Sequence, residues 1–354
     1  MYYLKYRPHT LAEIDNTRAR STITKILESG QLPHAFLFVG QKGTGKTSTA
    51  RIFAKAVNCL ENHFSQNKKT TIEPCNRCAN CKTIDSGASP DIMELDAASN
   101  RGIEEIKTLI KETGFAPMHN RHRIFIIDEA HMITHDGFNA LLKTLEEPPA
   151  GVIFVLATTN LEKVPKTIVS RCVMVNFEKA HPEEIARMIN RIAAGEKLKL
   201  NQDLIELVVQ HSDRSFRDAA KILQDLVMQH KLETDAARQY LGIRSPENLL
   251  HILQIEPREK AIAWIKEFGD AGGSAKAMIE DLLSRLHELL LAHYGVTKVD
   301  DSAIRLSGRQ LLTLLKLFND AYALLKNSPV EVIPLEIAIM EYYNKKEQSN
   351  DQAA

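Results

Sequence analysis

An α/β fold, with a parallel sheet and crossover helices followed by blocks of helix alone, is predicted by three features of the chain. A glycine-rich run (Gly40, Gln41, Lys42, Gly43, Thr44, Gly45, Lys46, Thr47) follows the apolar stretch 36–39 and opens a helical pattern. From 36 to about 177, short β-rich runs alternate with helical patterns, as a parallel sheet requires. From 181 onward only helical patterns occur.

The first strand and its loop carry the most specific chemistry. Gly40, Gly43 and Gly45 let the backbone turn tightly, so that its amides and the positive end of the next helix point at a polyphosphate. Lys46 is expected to reach the β and γ phosphates and Thr47 to hold Mg²⁺, with Thr44 and Ser48 completing the cradle. A glycine-rich turn that binds nothing is the alternative, and the agreement of strand, spacing and helix argues against it.

Further strands are expected at 92–95, 123–127 and 152–157. Ile103, Ile106, Leu109 and Ile110 recur at helical spacing, with Glu104 and Glu105 in the first turn, where the dipole favours them. The strand at 123–127 runs into Asp128 and Glu129. Asp128 is placed to orient Mg²⁺ through water and Glu129 to polarise an attacking water. A surface acidic pair is the alternative, and Asp128, Glu129, Ala130, His131 also spells a box of one helicase class. The strand at 152–157 ends in Thr158 and Thr159, which either sense a γ phosphate or merely terminate the strand. Arg171 and Arg217 would neutralise charge spreading over a transferring phosphoryl group, although a lone arginine is usually a solvated charge.

The helical remainder divides into a small lid at 178–240, with Pro182 near one helix start and Gly195 near its end, and a second block at 241–344. The first domain is expected over 1–177. A helix at about 274–293 carries Ile279, Leu282, Leu283, Leu286, Leu289 and Leu290 on one broad stripe, the pattern of a bundle core. Residues 345–354 are polar and expected to fray. Lys plus Arg equals Asp plus Glu at 45 each, so any polyanion contact must come from a local patch. Lys5 and Arg7 stand among tyrosines where a signal core would be apolar, and no apolar run approaches a membrane span, so a cytoplasmic protein with no membrane contact is expected. Of five cysteines, three are spaced as Cys75-x2-Cys78-x2-Cys81, which suits a metal better than disulfides. Cys172 reads as a buried core thiol.

The phosphate loop, the cysteine spacing, Lys5-Tyr6-Arg7-Pro8, Asp96-Ala97-Ala98-Ser99, the run from Asn139 to Pro149 and Ser170-Arg171-Cys172 together resemble the γ/τ subunits of bacterial DNA polymerase III clamp loaders, which are AAA+ ATPases. The resemblance extends to about residue 344. It implies an AAA+ sheet domain with a zinc-binding insertion at about 59–81, a helical lid and an all-α collar for oligomerisation. It implies ATP, Mg²⁺ and Zn²⁺ as cofactors. Thr159 would be the first sensor and Arg217 the second, both serving the chain's own ATP, while Arg171 would be a finger reaching a neighbour's nucleotide. Tyr6, Arg7 and Pro8 would lie near the adenine.

Cys59 would join Cys75, Cys78 and Cys81 in a tetrahedral structural site, with His63 as the alternative fourth ligand, since fifteen residues between Cys59 and Cys75 exceed the usual family spacing. The implied partners are δ, δ′ and further γ/τ copies in a heteropentamer, a sliding clamp, and primer-template DNA held through its phosphates by the segment 99–102 and Lys143. The family usually has a basic residue directly after the serine, where this chain has Asn100 and then Arg101; capping of the next helix by Ser99 or Asn100 is the alternative. The chain is expected to act as a γ-like form without the long τ extension. Three rivals are separable. A replication factor C small subunit lacks a reason for the cysteine cluster, a non-hydrolysing scaffold subunit lacks one for Lys46, Thr47, Asp128 and Glu129, and a helicase would need more than the tetrad at Asp128.

Overall fold

The computed structural model describes residues 1–64, 71–99, 102–241, 246–270, 273–296, 304 and 306–351. The chain forms two compact units, Met1–Met228 and Gln229–Ala354.

The first unit is built on five parallel strands: β1 (Ala35–Gly40), β2 (Ile92–Asp96), β3 (Arg123–Asp128), β4 (Val152–Thr158) and β5 (Val173–Phe177), in the order β2-β3-β4-β1-β5. β1, β3 and β4 are near-continuous apolar runs because helices cover both faces of the sheet. Phe36 and Phe38 of β1 pack with Ile52, Phe53 and Ala56 of the helix Lys46–Asn58, while Leu37 points to the opposite layer with Phe138, Leu141 and Leu145 of the helix His135–Glu146. β5 was not among the expected strands. It is a short edge strand, apolar at four of its five positions, in which only Val175 and Phe177 are buried. Since all five strands run the same way, Gly40, Asp96, Asp128 and Thr158 emerge at one edge of the sheet, where open α/β sheets hold their ligands.

After the last strand this unit continues in helices alone, Pro182–Glu196, Gln202–Gln210 and Phe216–Met228. The first begins with Pro182, its entry fixed by the His181 amide donating to Glu184 Oε2 at 3.0 Å. Gly195 sits in its last turn, where a Cβ would overlap the Tyr6 ring; the left-handed cap is Lys197, at φ 56°.

The second unit is helical: Thr234–Tyr240, Pro246–Ile255, Arg258–Asp270, Ala275–His293, Gly308–Leu324 and Ile333–Asp351 are its described α-helices. The segment expected as lid, 178–240, is therefore divided, with Thr234–Tyr240 in this unit. Ser274 caps the helix Ala275–His293, and of the expected stripe Ile279, Leu282 and Leu286 are buried while Leu283, Leu289 and Leu290 are partly so. Of the polar tail expected at 345–354, residues 345–351 continue the last helix, where Lys346 Nζ donates to the Leu253 and Gln254 carbonyls at 3.2 and 3.1 Å, and 352–354 lie outside the described residues. No helix among the described residues is long and apolar enough to cross a membrane.

Candidate functional site

A cleft of about 340 Å³ opens at the carboxyl edge of the sheet. Its floor is the loop after β1, with Gly43, Thr44, Gly45, Lys46, Thr47 and Ser48. Gly43 and Gly45 have φ of 80° and 97°, left-handed values that a side chain resists. A Cβ at Gly43 would also collide with Ser215 Oγ. Gly45 caps the helix Lys46–Asn58, whose first amides face the cleft. Gly40 does not line the cleft; its carbonyl and that of Gln41 accept hydrogen bonds from Lys46 Nζ at 2.7 and 2.8 Å. Burial lowers the Lys46 pKa, opposed by the charges of Glu129 and Asp128.

The acidic pair forms the second wall. Asp128 accepts from Thr47 Oγ1 at 2.6 Å through one oxygen and from the Glu129 amide at 2.9 Å through the other. Thr47 and Asp128 thus present adjacent hard oxygen donors, the set a magnesium ion prefers. Glu129 turns out of β3 in a left-handed conformation, φ 48°, which aims its carboxylate away from the strand. Its Oε2 accepts from Thr159 Oγ1 at 3.0 Å and lies 3.4 Å from His131 Nδ1, which meets Thr158 Oγ1 at 3.2 Å. Thr159 itself is outside the cleft lining.

Tyr6, Arg7 and Pro8 supply the third wall and Arg217 the fourth. Tyr6 is anchored by its hydroxyl donating to Glu196 Oε1 at 2.8 Å, and Lys5 Nζ meets the same oxygen at 2.6 Å. The Arg217 guanidinium lies 4.9 Å from the Tyr3 ring centroid. Burial lowers the Arg7 pKa, with the neighbouring charges of Arg51 and Arg217 adding to the effect and that of Glu94 opposing it. Sequence reasoning missed Tyr3, the strap residues Ile14, Asp15 and Asn16, and Met188 and Ile192, which also line the cleft. The i, i+4 spacing of Met188 and Ile192 marks an apolar helix face but not what that face meets.

Arg171 is elsewhere. It donates to the Thr167 carbonyl at 2.7 Å and pairs with Glu146, and it does not reach the cleft of its own chain. Lys143 is exposed on the helix His135–Glu146. Ser99 Oγ bonds Asp96 Oδ2 at 3.3 Å, and the helix Ile103–Thr113 begins at Gly102 with no side-chain cap, so Ser99 does not cap it. Asn100 and Arg101 lie outside the described residues.

A second cluster follows the phosphate-loop helix. The sulfurs of Cys59, Cys75, Cys78 and Cys81 all lie within 4.8 Å of one another. A tetrahedral zinc with bonds of about 2.3 Å needs sulfurs about 3.8 Å apart, so this donor set fits the ion with little movement. The amides of Cys75, Cys78 and Cys81 donate to the sulfurs of Cys59, Cys75 and Cys78 at 3.3, 3.3 and 3.4 Å. Burial raises the Cys75 pKa, but the amides of Arg77 and Cys78 and the neighbouring thiols outweigh it and bring the thiol down to about 7. His63 is not in the cluster; its ring packs on Phe64. Cys172 is half-buried against the sheet core, and burial pushes its thiol up to about 12.

A family profile described as DNA polymerase III, delta subunit, matches residues 15–181. The chain is 31% identical to the DNA polymerase III subunit gamma of Buchnera aphidicola subsp. Baizongia pistaciae over 96% of this chain and 95% of that one. It is 33% identical to the DNA polymerase III subunit tau of Bacillus subtilis over 98% of this chain and 64% of that one. For the subunit tau of Escherichia coli the identity is 32%, covering 87% of this chain and 48% of that one. The chain thus spans between about half and two thirds of the length of these two tau relatives. A variant of RuvB, the Holliday junction branch migration motor of Thermotoga maritima, superposes with a TM-score of 0.50 at 16% identity, over 88% of this chain and 98% of that one, a likeness of fold alone. An AAA+ parallel sheet with a helical C-terminal part, and identity along nearly the whole of a gamma subunit, place the chain in the gamma/tau subunit family of DNA polymerase III.

Proposed function

We propose that the chain is the ATP-hydrolysing motor subunit of a clamp loader, which loads a sliding clamp onto primed DNA. The observation that carries this reading is the cleft in which Lys46, the Thr47–Asp128 pair and Glu129 converge. Lys46 would neutralise the β and γ phosphates, and the amides of the loop and helix start would hold them without reorganising. Magnesium, held by Thr47 with Asp128 behind it, would withdraw charge from the phosphoryl oxygens. Glu129 would orient the attacking water and accept its proton, kept in place by Thr159. Arg217 would meet the chain's own nucleotide; Arg171, turned from that cleft, would serve the nucleotide of an adjoining subunit. Tyr6, Arg7 and Pro8 would enclose the adenine. The four cysteines would hold a structural zinc, with no open position for catalysis.

In this proposal the first unit, Met1–Met228, is the motor, and the second, Gln229–Ala354, assembles with δ, δ′ and further copies of the chain in the cytoplasm. Lys143 and the segment 99–102 would grip DNA phosphates. The test is steady-state ATP hydrolysis by the assembled complex with and without sliding clamp and primed DNA. Stimulation by the pair is expected; a rate indifferent to both would leave a generic nucleotide hydrolase, and no hydrolysis at all would favour a scaffold subunit.

A further inference from the structure

Residues 9–12 lie between two stretches that line the nucleotide cleft, Tyr6, Arg7 and Pro8 before and Ile14, Asp15 and Asn16 after. This strap is fastened to the cysteine cluster. Glu73, two residues before Cys75, accepts from the Leu11 amide at 2.7 Å on one carboxylate oxygen and from the Ala12 amide at 2.9 Å on the other. His9 Nδ1 lies 3.4 Å from Asp85, the last residue of the helix Ala79–Asp85 that carries Cys81 in its first turn.

The same cluster also grips the phosphate-loop helix. Lys55, on that helix and 1% exposed, directs its Nζ to Asp85 Oδ1 and to Asn76 Oδ1, each at 2.8 Å. Asn76 stands between Cys75 and Cys78 in a left-handed conformation, φ 54°, that turns it toward the helix. Cys59 caps the C-terminal end of that helix. A buried ammonium stripped of its partners is strongly destabilising, so this contact holds helix and cysteine cluster together as one body. Glu73 ties the strap to that body by two charge-assisted hydrogen bonds, setting the distance between the wall that carries Tyr6, Arg7 and Pro8 and the loop that carries Lys46.

We propose that Glu73 is a positioning residue for nucleotide binding, through which the metal-held cysteine cluster fixes the strap across the cleft. This rests on the nucleotide reading of the cleft. Glu73→Gln converts one of the two acceptors into a donor facing an amide, while leaving all four thiols in place.

The experiment compares the parent chain, Glu73→Gln and chelator-treated parent by ADP titration, zinc content and amide hydrogen exchange. Glu73→Gln is expected to keep its zinc, to bind ADP about threefold to tenfold more weakly, and to exchange the Leu11 and Ala12 amides faster. The chelated parent should show the same weakening and the same exchange. Parent-like ADP affinity in a zinc-replete Glu73→Gln overturns the proposal. So does loss of zinc from that variant, since Glu73 would then be supporting the cluster and not the strap. A parent that binds no ADP overturns this proposal and the nucleotide reading together, which separates the two failures.

Discussion

Thr159 Oγ1 donates a hydrogen bond to Glu129 Oε2 at 3.0 Å, so the residue just beyond β4 holds the carboxylate just beyond β3. A general base gains from a fixed direction more than from proximity alone. Thr159→Val removes the donor and keeps the shape. Turnover is expected to fall about tenfold, with ATP affinity within about twofold of the parent. Quench-flow hydrolysis beside equilibrium binding checks this; a loss confined to binding would instead mark Thr159 as a direct phosphate contact.

Lys46 Nζ donates to the carbonyls of Gly40 and Gln41 and lines the cleft. Lys46→Ala is expected to weaken ATP binding about a hundredfold, since two charge-assisted contacts to phosphate are lost. Isothermal titration of ATP settles the matter, and parent-like affinity would mean that the loop is not a phosphate site.

The two arginines should separate by experiment. Arg217 lines the cleft of its own chain, whereas Arg171 is paired with Glu146 outside it. Arg217→Ala should weaken nucleotide binding by the isolated chain, by about threefold to thirtyfold. Arg171→Ala should leave that binding intact and abolish turnover in the assembled complex by about a thousandfold. If the assembled Arg171→Ala complex hydrolyses ATP normally, the in-trans role is lost.

Asp91 is fully buried and accepts from the amides of Met118, His119 and Asn120 at 2.7, 2.9 and 2.9 Å. Burial raises its pKa, but the three amides and the charge of Arg123 outweigh it and hold the carboxyl below its ordinary value. A depressed folded pKa means stability that is present above the unfolded value of about 4 and lost as pH falls through the folded one. Asp91→Asn is expected to cost about 2 to 4 kcal/mol at neutral pH and to flatten the acid limb of the Tm profile below about pH 4. An unchanged profile between pH 2 and pH 5 would contradict it.

Zinc analysis offers the simplest check of the cysteine cluster. The parent should carry about one zinc per chain and Cys78→Ser much less, with a lower Tm for the variant, because metal binding to a folded site stabilises it by mass action. Equal zinc in both proteins would remove the metal from the account.

Much of this protein is legible locally. The loop from Gly40 to Thr47 is bracketed by its own strand and helix, and Asp128 and Glu129 end an unbroken apolar run, so both declare themselves within a dozen residues. Cys75, Cys78 and Cys81 do so by spacing. β5, apolar at four of five positions, was not: so short a run shows neither the alternation of a half-buried strand nor the length of a helix, and pairing with β1 decides it. Ser99 does not cap the helix Ile103–Thr113, which begins three residues further on at Gly102, and its hydroxyl bonds Asp96.

By itself the amino-acid order determined which groups are available: a phosphate loop, an acidic strand end, a thiol set and helices with apolar faces. Only the tertiary structure decided which of them meet. The sheet order β2-β3-β4-β1-β5 places β4 beside β3, bringing Thr159 to Glu129, and close packing presses Tyr3 on Arg217 and Glu73 on Leu11. These partners are 30 to 214 residues apart in sequence, so no local periodicity encodes them. Their pairing is fixed by the burial of two apolar layers against one twisted sheet, a property of the whole chain.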